Sequence, residues 1–298
     1  MPEFEWLASN DPAAMLESAN HIATVNGERI GLISDRKLRL FACACCRLVW
    51  DKLTDPRSRR AVVVAERYAD GRATEGELVE AQEGADVAVC YRQSTETAHL
   101  TMAHCREMWR QQPAAQVALL RDIAGNPWNP VELPYQRACP STCRYDDISG
   151  RVAPLSAARP FCPGCSTPWR CPWFTPNVVS LAEAAYAGEA CGRCGGEGEV
   201  MTVLENVPDA FGGVDSRRQR RVQCPSCDGT GRTGGALDAH RLAVLADALE
   251  DAGCDDASIL RHLREQPREI YTGHGNSELY EPVHVRGCWV VDLLLGKE

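Results

Sequence analysis

The sequence predicts a mainly α-helical protein whose helical core carries two cysteine-rich loop insertions, one of them built on a β-hairpin. Three observations lead there. Apolar residues recur at helical spacing through most of the 298-residue chain. A proline-dense stretch, 127–175, interrupts them and holds five cysteines. A second interruption, 190–233, opens and closes with the same eight-residue pattern. Aromatic content of 6%, with abundant alanine and leucine, also favours helices over sheets.

The chain divides accordingly: a helical region over 1–126, the Pro/Cys-rich module 127–175, a core helix within 176–189, the module 190–233 and a helical region over 234–298. In the first region Asn10 or Asp11 caps a helix through Met15 and Leu16, with Pro12 in its first turn. A polar loop with Asn26-Gly27 and Gly31 follows. Ser34 caps a stronger helix over 35–53, where Leu38, Leu40, Phe41, Cys45, Leu48 and Val49 form an apolar stripe. Cys43, Cys45 and Cys46 lie within it on different faces, as buried thiols rather than a ligand set. Asp55-Pro56 opens the next helix, which stops at Gly71. Thr74-Glu-Gly-Glu77 is a capping box for a helix reaching toward Arg110. His99 and His104 on it are five apart and share no face. Ala114 to Ala124 is a short helix closed by Gly125-Asn-Pro127.

Val178 to Tyr186 is one more short helix, stable only if docked. Leu237 to Ala252 is a long one, expected to turn Leu242, Val244, Leu245, Ala248 and Leu249 inward. Asp256 caps a helix to Leu263, a polar loop occupies 265–283, and a last helix carries Trp289, Val290, Leu293 and Leu294 on its apolar face.

The two interruptions carry the chemistry. Cys191-Gly-Arg-Cys194-Gly-Gly-Glu-Gly198 and Cys224-Pro-Ser-Cys227-Asp-Gly-Thr-Gly231 are two C-x-x-C-x-G-x-G units, with 29 residues between the inner cysteines. Each C-x-x-C presents two sulfurs to one ion, and two such knuckles complete the closed tetrahedral S4 shell of structural zinc. Glycine after each second cysteine lets the chain turn sharply. Between the knuckles, Glu199 to Leu204 and Arg220 to Gln223 read as the strands of a hairpin, giving a zinc ribbon. In the other module Cys139-x3-Cys143 is followed after 18 residues by Cys162-x2-Cys165. These four are the expected ligands of a second zinc. Cys171, after five further residues, is an alternative ligand, and thiol exchange at Cys162-Pro-Gly-Cys165 is another use of that pair.

The two units at 191–231 resemble half of the cysteine-rich zinc domain of DnaJ-type chaperones, which has four such repeats. The resemblance covers about 40 residues and implies zinc binding and a chaperone-like contact with proteins. No His-Pro-Asp triplet, which would mark a J-domain, is present. Ser34 to Phe41, Arg121 to Pro127, Leu245 to Cys254 and the stretch from His284 resemble a bacterial family of uncharacterised helical proteins. That resemblance implies one helical core with both cysteine modules in its loops.

These readings set the functional expectation: a non-catalytic interaction or scaffold protein with two zinc ions per chain and a protein partner. Val200, Val203, Leu204 and Phe211 of the hairpin either contact a peptide or pack on the core. Arg217, Arg218, Arg220 and Arg221 on one hairpin arm raise nucleic-acid binding as the alternative, against a net charge of -9. An enzyme of unrecognised type is a further alternative. The chain has no H-E-x-x-H, G-x-S-x-G, Walker A or Rossmann motif, and His262, His274 and His284 lack sequence context for a triad. Asp247, Glu250, Asp251, Asp255 and Asp256 read as a solvated helix end rather than a calcium loop. No apolar run approaches 18 residues, so no membrane span is expected. Sixteen cysteines without a leader pattern at the first residues point to a reducing cytoplasm.

Overall fold

The computed structural model describes the chain outside residues 91–111, 135–170, 204–218 and 271–278, and outside breaks at 1–2, 20–22, 26–27, 31–32, 51–52, 54, 129–130, 132, 189–190, 192, 196, 225–226, 228–230, 232–234, 266–267, 282–283 and 298. It is mainly helical. The helices are α1 (Glu3–Ala8), α2 (Pro12–Ala19), α3 (Asp35–Leu48), α4 (Pro56–Ala69), α5 (Glu75–Cys90), α6 (Pro113–Ala124), α7 (Pro176–Tyr186), α8 (Ala239–Asp251), α9 (Ala257–Leu263) and α10 (Trp289–Leu295). Among the described residues, three antiparallel two-stranded sheets accompany them: β1 (Ala23–Val25) with β2 (Glu28–Ile30), β3 (Glu199–Val203) with β4 (Gln219–Gln223), and β5 (Arg268–Ile270) with β6 (Leu279–Glu281).

Most helix starts are where their capping residues put them. Ser34 Oγ accepts from the Lys37 amide, Asp55 Oδ1 from Arg57, and Asp256 Oδ1 from Ser258 and Ile259. The capping box before α5 is reciprocal: the Glu77 amide donates to Thr74 Oγ1 at 3.2 Å and the Thr74 amide to Glu77 Oε2 at 2.8 Å.

Several expectations change. Helix α3 ends at Leu48 rather than residue 53, because Arg59 of α4 takes the carbonyls of Trp50 and Leu53 and caps the chain there. The loop around Asn26-Gly27 lies between paired strands, with Val25 opposite Glu28. The polar loop 265–283 contains the pair β5–β6. In α8 the inward stripe is Leu242, Leu245, Ala246 and Leu249, spaced i, i+3, i+4, i+7. Val244 falls outside that stripe and is 41% exposed.

The core has two main apolar clusters. Helices α7, α8, α9 and α10 enclose Val178, Ala182, Leu242, Leu245, Ile259, Leu263, Val290 and Leu294, with Trp173 and Cys171 from the loop before α7. Helices α1, α2, α3 and α6 enclose Trp6, Met15, Phe41, Leu119, Leu120 and Ile123, joined by Val285 from the turn before α10. Cys45 belongs to this second cluster, while Cys43 and Cys46 pack toward Val62 of α4. Burial pushes the Cys45 thiol up to about 12, as expected of an inert core sulfur.

Tight approaches join the two clusters. Gly125 has φ +62° and ψ -135°, and a Cβ there would stand 2.9 Å from the Trp289 ring. Its carbonyl also accepts from Trp6 Nε1. A buried ionic network completes the junction. The Arg36 guanidinium binds both oxygens of Asp292 at 2.7 and 3.2 Å and donates to the Tyr186 hydroxyl at 2.9 Å. That hydroxyl donates to Asp70 at 2.5 Å, and Asp70 also takes Arg286 at 2.5 Å. Burial alone would raise Asp70, but the Tyr186 hydroxyl, Arg286 and Lys297 outweigh it and hold the carboxyl well below the usual carboxylate range.

Two predictions follow from this junction. Gly125→Ala is expected to cost about 3 kcal/mol, combining a glycine-only conformation with overpacking against Trp289; urea titration checks it, and an unchanged midpoint contradicts it. Asp70→Asn is expected to lose on the order of 3 kcal/mol near neutral pH by stranding buried cations. Because the folded state depresses this carboxyl, its contribution is present above the unfolded pKa of about 4 and is lost as pH falls below it. The stability gap between the variant and wild type therefore narrows on acidification, as thermal melts over a pH series will show.

Candidate metal centre

Cys191, Cys194, Cys224 and Cys227 converge, with their sulfurs within 4.8 Å of one another and all four side chains buried. The closest cross-knuckle pairs are Cys191–Cys224 at 3.8 Å and Cys194–Cys227 at 3.7 Å. A tetrahedron with metal–sulfur bonds of about 2.3 Å has edges of about 3.8 Å. These spacings therefore suit one ion at the centre, and they are far too long for disulfide bonds of about 2.05 Å.

Local backbone pairing explains how the sequence builds this. The Cys191 amide donates to the Gly231 carbonyl and the Cys224 amide to the Gly198 carbonyl, both at 2.8 Å. Each unit's first cysteine is thus tied to the last glycine of the other unit. Gly198 and Gly231 take φ of +78° and +72°, which makes the tight return possible. The Gly198 amide also donates to Cys194 Sγ at 3.3 Å, helping hold a thiolate. Strands β3 and β4 leave directly from this base, with Glu199 opposite Gln223, and Val200 packs against the four sulfurs.

Burial first, and then the hydrogen bonds from the neighbouring thiols, push Cys227 up to about 12. Without an ion the thiol stays neutral at pH 7, so metal binding must expel protons. Four sulfurs around one ion would leave no position for a reacting water.

The other sequence-predicted residues fare differently. Cys139, Cys143, Cys162 and Cys165 lie outside the described residues, as do Arg217, Arg218, Leu204 and Phe211. Cys171 is buried in the apolar cluster beside Trp173 and close to Cys254. Arg220 and Arg221 are on β4 opposite Thr202 and Met201, and Arg221 pairs with Glu199 at 3.6 Å. In the acidic group at the end of α8, Asp247 and Glu250 bind Arg264, and Asp256 caps α9. A solvated, paired helix end accounts for them. Among the described residues no helix is long and apolar enough to cross a membrane.

A second convergence has no counterpart in the sequence expectations. Asp122, His262, His284 and Cys288 also bring their ligand atoms within 4.8 Å of one another. In the sequence, His262 and His284 have no triad context. The only local signal was His284-x3-Cys288, since Asp122 and His262 come from distant segments. This is no nucleophile site. Cys288 is 0% exposed, and burial followed by the Asp122 charge raises its thiol, the reverse of what thiolate chemistry requires.

Comparison with protein-family models, curated proteins and solved structures finds no match for this chain. The geometry of the site therefore carries the functional argument.

One outcome is expected of the four-sulfur centre. Added zinc should be retained at neutral pH and released progressively on acidification, as protons compete for the thiolates. Cys194→Ser should abolish that component. A colorimetric chelator measures both, and release independent of pH would contradict the thiolate assignment.

Proposed function

We propose that this chain is a non-catalytic, zinc-binding interaction or scaffold protein. In this reading the 191–227 centre holds Zn2+ and makes the β3–β4 hairpin a zinc ribbon that faces a protein partner. The observation that carries it is the buried four-sulfur shell with tetrahedral spacing at the hairpin's base. Four sulfurs are the donor set zinc favours, and a closed shell serves folding rather than turnover. A hairpin of two five-residue strands has little core of its own, so an ion at its base substitutes for one. Its outer face carries Met201, 57% exposed, opposite Arg221. An adaptable apolar side chain beside a cation suits an acidic or mixed protein surface.

The second zinc belongs to Cys139, Cys143, Cys162 and Cys165 on spacing alone, and cytoplasmic residence fits thiolates kept reduced. A chaperone-like version of the role rests on the likeness of the two C-x-x-C-x-G-x-G units to the DnaJ-type zinc domain.

The test is crosslinking and co-purification with wild type, Cys194→Ser, Met201→Glu and an Arg220→Glu/Arg221→Glu double variant. A protein captured by wild type and lost at least tenfold with both Cys194→Ser and Met201→Glu supports the proposal. A protein retained by both variants overturns it. Co-purified nucleic acid lost only with the double arginine variant moves the assignment to nucleic-acid binding.

A further inference from the structure

Asp122 sits near the end of α6, His262 on α9, and His284 and Cys288 flank the turn that leads into α10. Asp122 Oδ1 stands 2.9 Å from His284 Nδ1 and 3.1 Å from His262 Nε2. Cys288 Sγ stands 3.3 Å from that same His262 nitrogen and 3.9 Å from that same His284 nitrogen. This sharing is the decisive point. One N–H can serve a carboxylate or a thiol well, but here each imidazole presents a single nitrogen to both. Pairwise hydrogen bonding does not call for four atoms turned to one common point. An ion at that point does.

We propose that Asp122, His262, His284 and Cys288 form a metal site for a borderline divalent cation of the zinc class, separate from the four-cysteine centre. With bonds of about 2.0–2.1 Å to nitrogen or oxygen and about 2.3 Å to sulfur, tetrahedral edges come to about 3.3–3.6 Å. The four separations, 2.9, 3.1, 3.3 and 3.9 Å, bracket that range. Two imidazoles, one carboxylate and one thiolate match the borderline softness of zinc, and would not suit a hard cation such as calcium. Their charges, one carboxylate and one thiolate, neutralise a divalent ion within a largely buried site.

The supports around the ligands are those of a built site. The Val285 amide donates to the second Asp122 oxygen at 2.7 Å, aiming the carboxylate. Gly287, at φ +96° and pressed against Leu40, bends the chain so that His284 and Cys288 face inward together. Lys37 Nζ holds that bend through the Gly287 carbonyl at 2.6 Å. The Trp289 ring lies 5.2 Å from the His262 ring. Asp122, His284 and Cys288 are buried, and the His262 side chain is 13% exposed, which leaves that edge as the way in for an ion. Four protein ligands close the site, so its work is to tie α6, α9 and the turn into α10 together.

The experiment is metal content by elemental analysis on full-length protein loaded with zinc and freed of excess, beside 113Cd NMR of the cadmium-loaded wild type. Asp122→Asn and Cys288→Ser should each lose one metal equivalent. Cys194→Ser should lose a different one, and Cys194→Ser/Cys288→Ser should lose two. His262→Gln, at the partly exposed edge, serves where the buried variants do not fold. Wild type should also show a cadmium resonance from a mixed nitrogen, oxygen and sulfur environment that is absent in His262→Gln. Folded Asp122→Asn or His262→Gln with the full wild-type metal content would overturn the proposal. So would a cadmium spectrum with sulfur-only environments.

Discussion

Two buried carboxylates govern how this chain comes together. Asp70 follows α4 and Asp292 lies in α10, and their side chains are 0% and 1% exposed. Neither has water to solvate it, so each must find cations or strong donors within the protein. Arg36 supplies one from α3 and bonds to both carboxylates. Arg286 and Lys297 supply others from either side of α10, and Tyr186 brings the end of α7. Any arrangement that frees one of these helices leaves a charge stranded. The apolar clusters set how closely the helices pack, but ionic pairing sets which helices meet. Arg47 and Glu66 repeat the device on a smaller scale between α3 and α4, as a bidentate pair beneath the Trp50 ring.

That division explains what could be read from the sequence and what could not. Caps at Ser34, Asp55, Thr74 and Asp256 act within three residues, so their helices were visible as local patterns. The cysteine knuckles were visible for the same reason: each fixes its own geometry, and only their pairing spans distance. Asp292 was hidden, because a lone acid in Val-Val-Asp-Leu-Leu looks like a solvated gap in an apolar face. Its partner Arg36 is 256 residues away. Asp122 was hidden likewise, since no spacing rule links it to His262 or His284. Val244 is apolar but lies off the i, i+3, i+4, i+7 stripe, so its hydrophobicity alone does not place it inward. Asn26-Gly27 is a hairpin signal, but strands of only three residues give too short an alternation to mark a hairpin.

The two metal-capable clusters are unlike in construction. The four-sulfur centre is made from two copies of one short unit, cross-tied by their own amides, and it organises a hairpin with little core of its own. The Asp122 cluster is made from single residues of α6, α9 and the turn into α10. One is a local staple for a loop. The other is a seam in the interior. With an ion bound, neither would leave an open coordination position.

The reach of Arg36 to Asp292 has a consequence for how the chain acquires its structure in time. During synthesis α3 emerges long before α10, and until α10 arrives Arg36 lacks its closest carboxylate and Leu40 lacks the turn at Gly287. The Arg36–Asp292 contact spans 256 residues, and loop closure over that distance comes late in folding. Cys43 and Cys46 need not wait for it, since they pack toward Val62 of α4. Until the turn and α10 are made, the charge of Arg36 and the apolar side chain of Leu40 stay without these partners.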